Sequence, residues 1–123
     1  MTDDMGQTLG RVLVLRVAGP FDGSGAAPPE RVAERGRRAG ARLVLVDATS
    51  APYIDSGGLR WLLGLHRAVR EGGQRLRVAA RRNGRVWRNL ALLGLDDLDL
   101  FGSPRRAWRA PHAASAGSLD GAW

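Results

Sequence analysis

Residues 43–59 read LVLVDATSAPYIDSGGL and hold the clearest local pattern in the chain. The four apolar residues at its start, 43–46, are typical of a strand that is covered by neighbouring strands and by at least one layer of helices. Residues 48–52 are small, hydroxyl-bearing or proline, which is typical of a turn. Beyond Ser56, apolar residues recur at the spacing of an amphipathic helix that ends at Gly72-Gly73. The stretch therefore predicts a strand, a turn and a helix.

The alternation of strand and helix continues on both sides of this stretch. The other expected elements are strands at 11–18, 76–80 and 95–101, and helices at 29–39, 85–93 and 104–109. Helices between strands allow consecutive strands to run parallel, so the pattern predicts an α/β domain with helices packed on a sheet. We assign 11–109 to this domain, 1–10 to a flexible N-terminus or an edge strand, and 110–123 to a disordered C-terminal tail.

The composition limits the chemistry that the chain can carry. Its 123 residues suit one domain, and 44% hydrophobic content is enough for one core. There is no cysteine and there are only two histidines, so disulfides, cysteine nucleophiles and a histidine metal cluster are excluded. We expect neither a metal nor a cofactor. The acidic start, Met1-Thr2-Asp3-Asp4, is unlike a signal peptide, and the longest apolar runs are far below the about 20 residues of a membrane span. A cytoplasmic protein without membrane insertion is expected.

The charge is strongly positive, and arginine is its only source. The chain has 19 basic and 12 acidic residues, for a net charge of +7, and it contains no lysine. The arginines are spread from Arg11 to Arg109, and no recognition-helix or RNA-binding motif accompanies them. Solvated arginine-rich faces are therefore favoured over a nucleic-acid site, and we expect no sequence-specific binding to nucleic acid.

Asp55 and Ser56 lie where a helix N-cap belongs, because their side-chain oxygens can accept backbone N–H groups that have no partner within the helix. The simplest interpretation is that one of them caps the helix. A serine exposed at a helix N-terminus is also well placed to carry a phosphate, since the amide groups and the helix dipole favour negative charge there.

Residues 46–59, with Asp47, Tyr53-Ile54-Asp55-Ser56 and Gly58-Leu59, resemble the signature of the STAS domain, and most closely that of bacterial anti-sigma factor antagonists. Three more segments are similar to this family in the same order: Gly19-Pro20-Phe21-Asp22 after the first long strand, the helix end and following strand at 66–76, and the third helix at 86–95. The resemblance covers about residues 11–108. It implies a single STAS-like domain, α/β, with a mixed sheet of four to five strands packed against helices.

The resemblance implies a partner switch. An unmodified antagonist binds an anti-sigma factor that is also a serine kinase, and the sigma factor is released. The kinase phosphorylates the serine that corresponds to Ser56, which ends the binding, and a PP2C-type phosphatase reverses the modification. Two residues depart from the family pattern: Gly57 stands where many members have a second serine, and Pro20 replaces an acidic residue.

We expect the partner to contact Asp22, Asp55, Ser56, Gly57, Gly58, Arg60 and Trp61. Three of these have an alternative role. Asp22 and Asp55 can be turn or cap residues alone. Trp61 can cover the core, or it can anchor the partner as tryptophans often do at interfaces. Arg60, four residues after Ser56, is able to hold a phosphate on that serine.

Two other functions compete with the antagonist. An enzyme is disfavoured, because Ser56 lies in no Gly-x-Ser-x-Gly elbow and His66 is ten residues further on. A STAS scaffold without phosphorylation, for example an accessory subunit of a membrane transporter or of a signalling complex, is not separated from an antagonist by the sequence. Whether the chain is an antagonist or a scaffold, we expect it to be a monomer or a weak dimer.

Overall fold

The computed structural model describes residues 6–92 and 99–110. The strands are β1 (Gln7–Leu9), β2 (Val12–Arg16), β3 (Leu43–Asp47), β4 (Arg75–Ala79) and β5 (Asp99–Phe101). The helices are α1 (Pro29–Arg38), α2 (Ser56–Glu71), α3 (Arg85–Leu92) and α4 (Pro104–Arg109).

The five strands form one sheet in the order β1-β2-β3-β4-β5. The strands from β2 to β5 are parallel, and β1 pairs antiparallel with β2 through a short turn at Gly10. β3 lies in the centre, with Leu45 opposite Val14 of β2 and Arg77 of β4. Its four apolar residues are all buried, as the uninterrupted apolar run predicts.

The main core lies between the sheet and three helices. Alternate residues of β2, β3 and β4, such as Leu13, Val44 and Val78, pack against buried residues of α1, α2 and α3. All three helices therefore cover one face of the sheet. The opposite face holds a smaller cluster in which Ala107 of α4 packs on Leu45.

A buried ion pair lies on this second face. Arg77 has a side chain that is 1% exposed, and its Nε lies 3.7 Å from Oδ2 of Asp99. One terminal nitrogen of Arg77 donates to the carbonyls of Ala107 and Ala110 at 2.8 Å each. The guanidinium also stacks 5.6 Å from the ring centroid of Phe101. Burial lowers the pKa of Arg77, and the charge of Asp99 opposes this shift. Arg77 thus ties α4 to the sheet.

The fold class expected from the sequence is confirmed: the chain is α/β with a mixed sheet of five strands. β1 lies at the edge of the sheet, in the segment for which the sequence predicts either an edge strand or a flexible end. Several expectations lie outside the described residues: the end of the third helix at 93–94, residues 95–98 of the last expected strand, residues 1–5, and the tail at 111–123.

Candidate functional site

The candidate site lies where β2 and β3 end, because the loops that follow these parallel strands run side by side. Phe21, in the loop after β2, forms an isolated parallel bridge with Ile54, in the loop after β3. The amide of Phe21 donates to the carbonyl of Tyr53 at 3.0 Å, and the amide of Asp55 donates to the carbonyl of Phe21 at 3.2 Å. These two bonds fix the start of α2 against the loop after β2.

Gly57 and Gly58 allow the two loops to touch backbone to backbone. A Cβ at Gly58 would overlap the carbonyl oxygen of Phe21, and one at Gly57 would lie 2.5 Å from the carbonyl oxygen of Asp22. Only residues without a side chain fit this approach. Gly58 is buried beneath the loop, so its position does not support the partner contact expected from the sequence. Its role is to bring Phe21 and α2 together.

Asp55 is the N-cap of α2. Its backbone is extended, with φ −112° and ψ −173°, and its Oδ1 accepts a hydrogen bond from the amide of Gly58 at 3.0 Å. Of the two capping candidates in the sequence, Asp55 therefore has this role, and Ser56 follows it as the first residue of the helix. Ser56 is exposed. Its hydroxyl is not used to satisfy the helix end and remains at the surface.

Asp22 closes the turn of the neighbouring loop. Its Oδ1 accepts hydrogen bonds from the amide and from the hydroxyl of Ser24, both at 2.9 Å. These bonds stabilise the carboxylate and lower the pKa of Asp22 below its ordinary value, the backbone bond having the larger effect. Asp22 is thus a turn residue, as its alternative interpretation predicts. The group of Asp22 that lies beside Gly57 is its backbone carbonyl and not its carboxylate.

Trp61 lies beneath the site and not on its surface. The residue is 8% exposed, and its ring meets that of Phe21 edge to face, with 6.0 Å between the centroids. Its indole Nε1 donates to the carbonyl of Ala27 at 2.9 Å. The structure thus favours core packing over the partner anchor that the sequence left open. Trp61 positions the site, because it holds the loop after β2 against α2.

Arg60 is exposed one turn after Ser56. Residues four apart on a helix lie on the same face, so its guanidinium can reach a group attached to the Ser56 hydroxyl. Of the partner contacts expected on α2, Ser56 and Arg60 are therefore the two residues whose side chains are exposed.

The sequence did not reveal a groove that adjoins the site. Its volume is about 590 Å³, and its polar walls include Thr49 and Ser50 after β3 and Arg81 and Arg85 before and at the start of α3. The walls come from segments that are distant in the sequence, so no local pattern marks the groove. Because its lining contains two arginines and no acidic residue, the groove is positively charged.

Among the residues that the structure describes, the one histidine lies far from Ser56 along the same helix. His66 is on α2, ten residues further along the helix, which corresponds to about 15 Å of axial rise. Within residues 6–92 and 99–110, no three His, Asp or Glu side chains are grouped so that they could hold a metal ion. None of the helices described is both long and apolar enough to cross a bilayer.

A family model, that of the STAS domain, matches residues 6–107. The match includes both loops of the candidate site, all of α1, α2 and α3, and most of α4. No curated protein matches the chain significantly.

Proposed function

Because the chain belongs to the STAS domain family, we propose that it is an anti-sigma factor antagonist controlled by reversible phosphorylation of Ser56. In this proposal the unmodified protein binds an anti-sigma factor with serine kinase activity in the bacterial cytoplasm. The kinase transfers the γ-phosphoryl group of ATP to Ser56, and a PP2C-type phosphatase hydrolyses the phosphoserine. The protein itself is a binding partner and not an enzyme.

One observation carries this proposal: the hydroxyl of Ser56 is exposed at the first position of α2 and has no hydrogen bond within residues 6–92 and 99–110. Two neighbouring hydroxyls differ. That of Ser24 donates to Asp22 at 2.9 Å, and that of Thr49 donates to Asp47 at 2.6 Å. A kinase has to break those bonds before it can use Ser24 or Thr49, whereas the Ser56 hydroxyl has no hydrogen bond to lose among the residues described.

The position of Ser56 also suits the phosphorylated state. A phosphoserine carries about −1.5 to −2 charges near pH 7. At the N-terminus of a helix such a charge is favoured by about 0.3–1 kcal/mol, because the first amide groups have no intrahelical acceptor. Arg60 adds a cation one turn away. Phosphorylation is therefore expected to leave the fold intact and to change the charge of the docking surface, as a switch requires.

The test of the acceptor uses the whole chain, ATP and a purified anti-sigma serine kinase, followed by peptide mapping with mass spectrometry. We expect one phosphate, on Ser56, and none in Ser56→Ala. Ser50→Ala is the matched control, because Ser50 is also exposed at this edge of the sheet. Phosphate on Ser24, Thr49 or Ser50 would refute the assignment, and a kinase that modifies its known antagonist but not this chain would favour the unphosphorylated scaffold.

The test of the switch compares binding of the same kinase to two variants. Ser56→Ala is expected to bind like the unmodified protein, since it removes only an exposed hydroxyl. Ser56→Asp, which adds a permanent charge at the contact, is expected to bind at least about tenfold more weakly, equivalent to about 1.4 kcal/mol. Equal affinities for the two variants would contradict a phosphorylation switch.

A further inference from the structure

The exposed side of α2 carries one continuous stripe. Ser56, Arg60, Leu63, Arg67 and Arg70 are all exposed, and they follow each other at intervals of four and three residues. At 3.6 residues per turn, these intervals keep all five side chains on one side of the helix. We call these five residues the basic stripe. Leu63 lies at its middle and is 37% exposed, which makes it one of the few large apolar side chains at the surface.

Two arginines of the basic stripe, Arg60 and Arg67, have no carboxylate paired with them on the helix face among the residues described. On α1, Glu34 pairs with both Arg37 and Arg38. On α2, in contrast, the only acidic residue is Glu71 at the last position, outside the stripe. Among the residues described, no carboxylate forms an ion pair with Arg60 or Arg67. Arg60 and Arg67 thus place unneutralised positive charge on both sides of the exposed Leu63.

We propose that the basic stripe docks an acidic surface of a protein partner, one whose carboxylates flank an apolar patch that receives Leu63. The inference rests on the proposed function, since Ser56 begins the stripe, and it specifies the kind of surface that the partner brings. Opposite charges across an interface raise the rate of association and exclude partners of the wrong charge. An apolar centre within a polar rim is the usual arrangement of a protein contact.

A protein surface explains the stripe better than a nucleic acid does. A phosphate backbone would use the arginines, but it offers no apolar counterpart to the exposed leucine at their centre. A partner helix or loop with carboxylates around an apolar side chain satisfies all of these features together.

The stripe also explains why a phosphate on Ser56 ends the contact. Arg60 and Arg67 supply two unpaired positive charges, and phosphoserine adds about −1.5 to −2 at the end of the same row. The phosphate both attracts Arg60 away from the partner and repels the partner's carboxylates. Phosphorylation therefore removes the charge complementarity itself.

The experiment uses a defined probe and needs no kinase. The probe is a synthetic helical peptide with leucines along one side and glutamates flanking them, and its control is the same peptide with lysine in place of glutamate. Each is titrated into the ¹⁵N-labelled full chain while amide shifts are recorded. We expect the acidic peptide to shift the amides of Arg60, Leu63 and Arg67, and the basic peptide to leave them unchanged.

Variants then test the charge and the apolar centre separately. Arg67→Glu is expected to weaken binding of the acidic peptide about tenfold, and Leu63→Ser is expected to weaken it at all salt concentrations. Arg31→Glu makes the same charge change at an exposed site on α1 and should have no effect. Raising the salt from about 0.1 to about 1 M shortens the screening length from about 10 to about 3 Å. This should weaken binding of the acidic peptide to the unmutated protein and should change its binding to Arg67→Glu less, because that variant has less positive charge to screen.

Several outcomes would overturn the inference: equal binding of the acidic and basic peptides, shifts confined to α1 or α3, or binding of duplex DNA to the stripe with no binding of the acidic peptide. These results are independent of the kinase assay. Phosphorylation of Ser56 without peptide binding would refute the acidic partner surface alone, whereas peptide binding without phosphorylation would refute the switch alone.

Discussion

Gly58→Ala tests how the site is built, because two effects of this substitution change the free energy of unfolding in opposite directions. Within a helix, alanine in place of glycine ordinarily stabilises by about 1 kcal/mol. At Gly58, however, the new Cβ would overlap the carbonyl oxygen of Phe21, and only a displacement of backbone can relieve this overlap. The loop after β2 and the start of α2 have to move apart.

The cost of that displacement can be assembled from the contacts it breaks. The hydrogen bonds from Phe21 to Tyr53 and from Asp55 to Phe21 hold the two loops together, and each contributes about 0.5–1.5 kcal/mol. Overpacking of this kind costs about 1–3 kcal/mol in other proteins. With the gain in helix propensity subtracted from these two costs, we expect Gly58→Ala to lower the free energy of unfolding by about 3 kcal/mol.

Urea unfolding followed by far-ultraviolet circular dichroism measures this change, and Gly64→Ala is the matched control. Gly64 lies in the same helix, but its added Cβ would come only 3.2 Å from a ring carbon of Pro29, which can shift slightly. We expect Gly64→Ala to stay within about 1 kcal/mol of the unmutated protein. If Gly58→Ala were as stable as Gly64→Ala, the close approach of the two loops would not be the reason for the glycine.

Three further predictions concern named side chains. Asp55→Ala should lower the free energy of unfolding by about 1 kcal/mol in the same assay, because α2 loses its N-cap; an unchanged value would contradict the capping role. Asp99→Ala should cost about 3 kcal/mol, since it removes the carboxylate that lies 3.7 Å from the buried guanidinium of Arg77; a cost below that of Asp55→Ala would refute a stabilising pair. Ser24→Ala should raise the pKa of Asp22 towards its ordinary value, which an NMR titration measures. An unchanged pKa in Ser24→Ala would contradict a contribution from the hydroxyl. Because folding lowers the pKa of Asp22, this residue stabilises the fold at pH values above its ordinary pKa of about 3.9, and that stabilisation is lost as the pH falls through the lower pKa of the folded state.

The parts of the site that the sequence predicts are those set by local pattern. The apolar run at 43–46 identifies β3, and the helical spacing of apolar residues after Ser56 identifies α2. A strand buried on both faces needs apolar residues at every position, and a helix buried on one face needs them about every 3.6 residues. The same local pattern limits the N-cap to Asp55 or Ser56. It does not choose between them, since the choice depends on which carboxyl or hydroxyl oxygen reaches the amide of Gly58.

Long-range contacts account for what the sequence did not predict. Trp61 is compatible with a surface anchor until Phe21 and Ala27, about 40 and 34 residues away, are placed around its ring. Arg77 lies within a strand pattern and gives no sign of burial, because its partner Asp99 belongs to another strand. Such pairs depend on the order of strands in the sheet, which periodicity does not encode.

The alternation of strands and helices and the place of Ser56 at the start of a helix follow from the sequence alone, because propensities and periods within single elements set them. The three-dimensional structure was needed to show that Asp55 satisfies the helix end and that the Ser56 hydroxyl is left exposed. It also decided that Gly58 and Trp61 support the site from below, while Arg60 faces outward. Gly58 and Trp61 are buried because the parallel pairing of β2 with β3 brings the two loops together. The cap is a local bond from the amide of Gly58 to Asp55, and the sequence leaves it open because Ser56 is also able to accept such a bond.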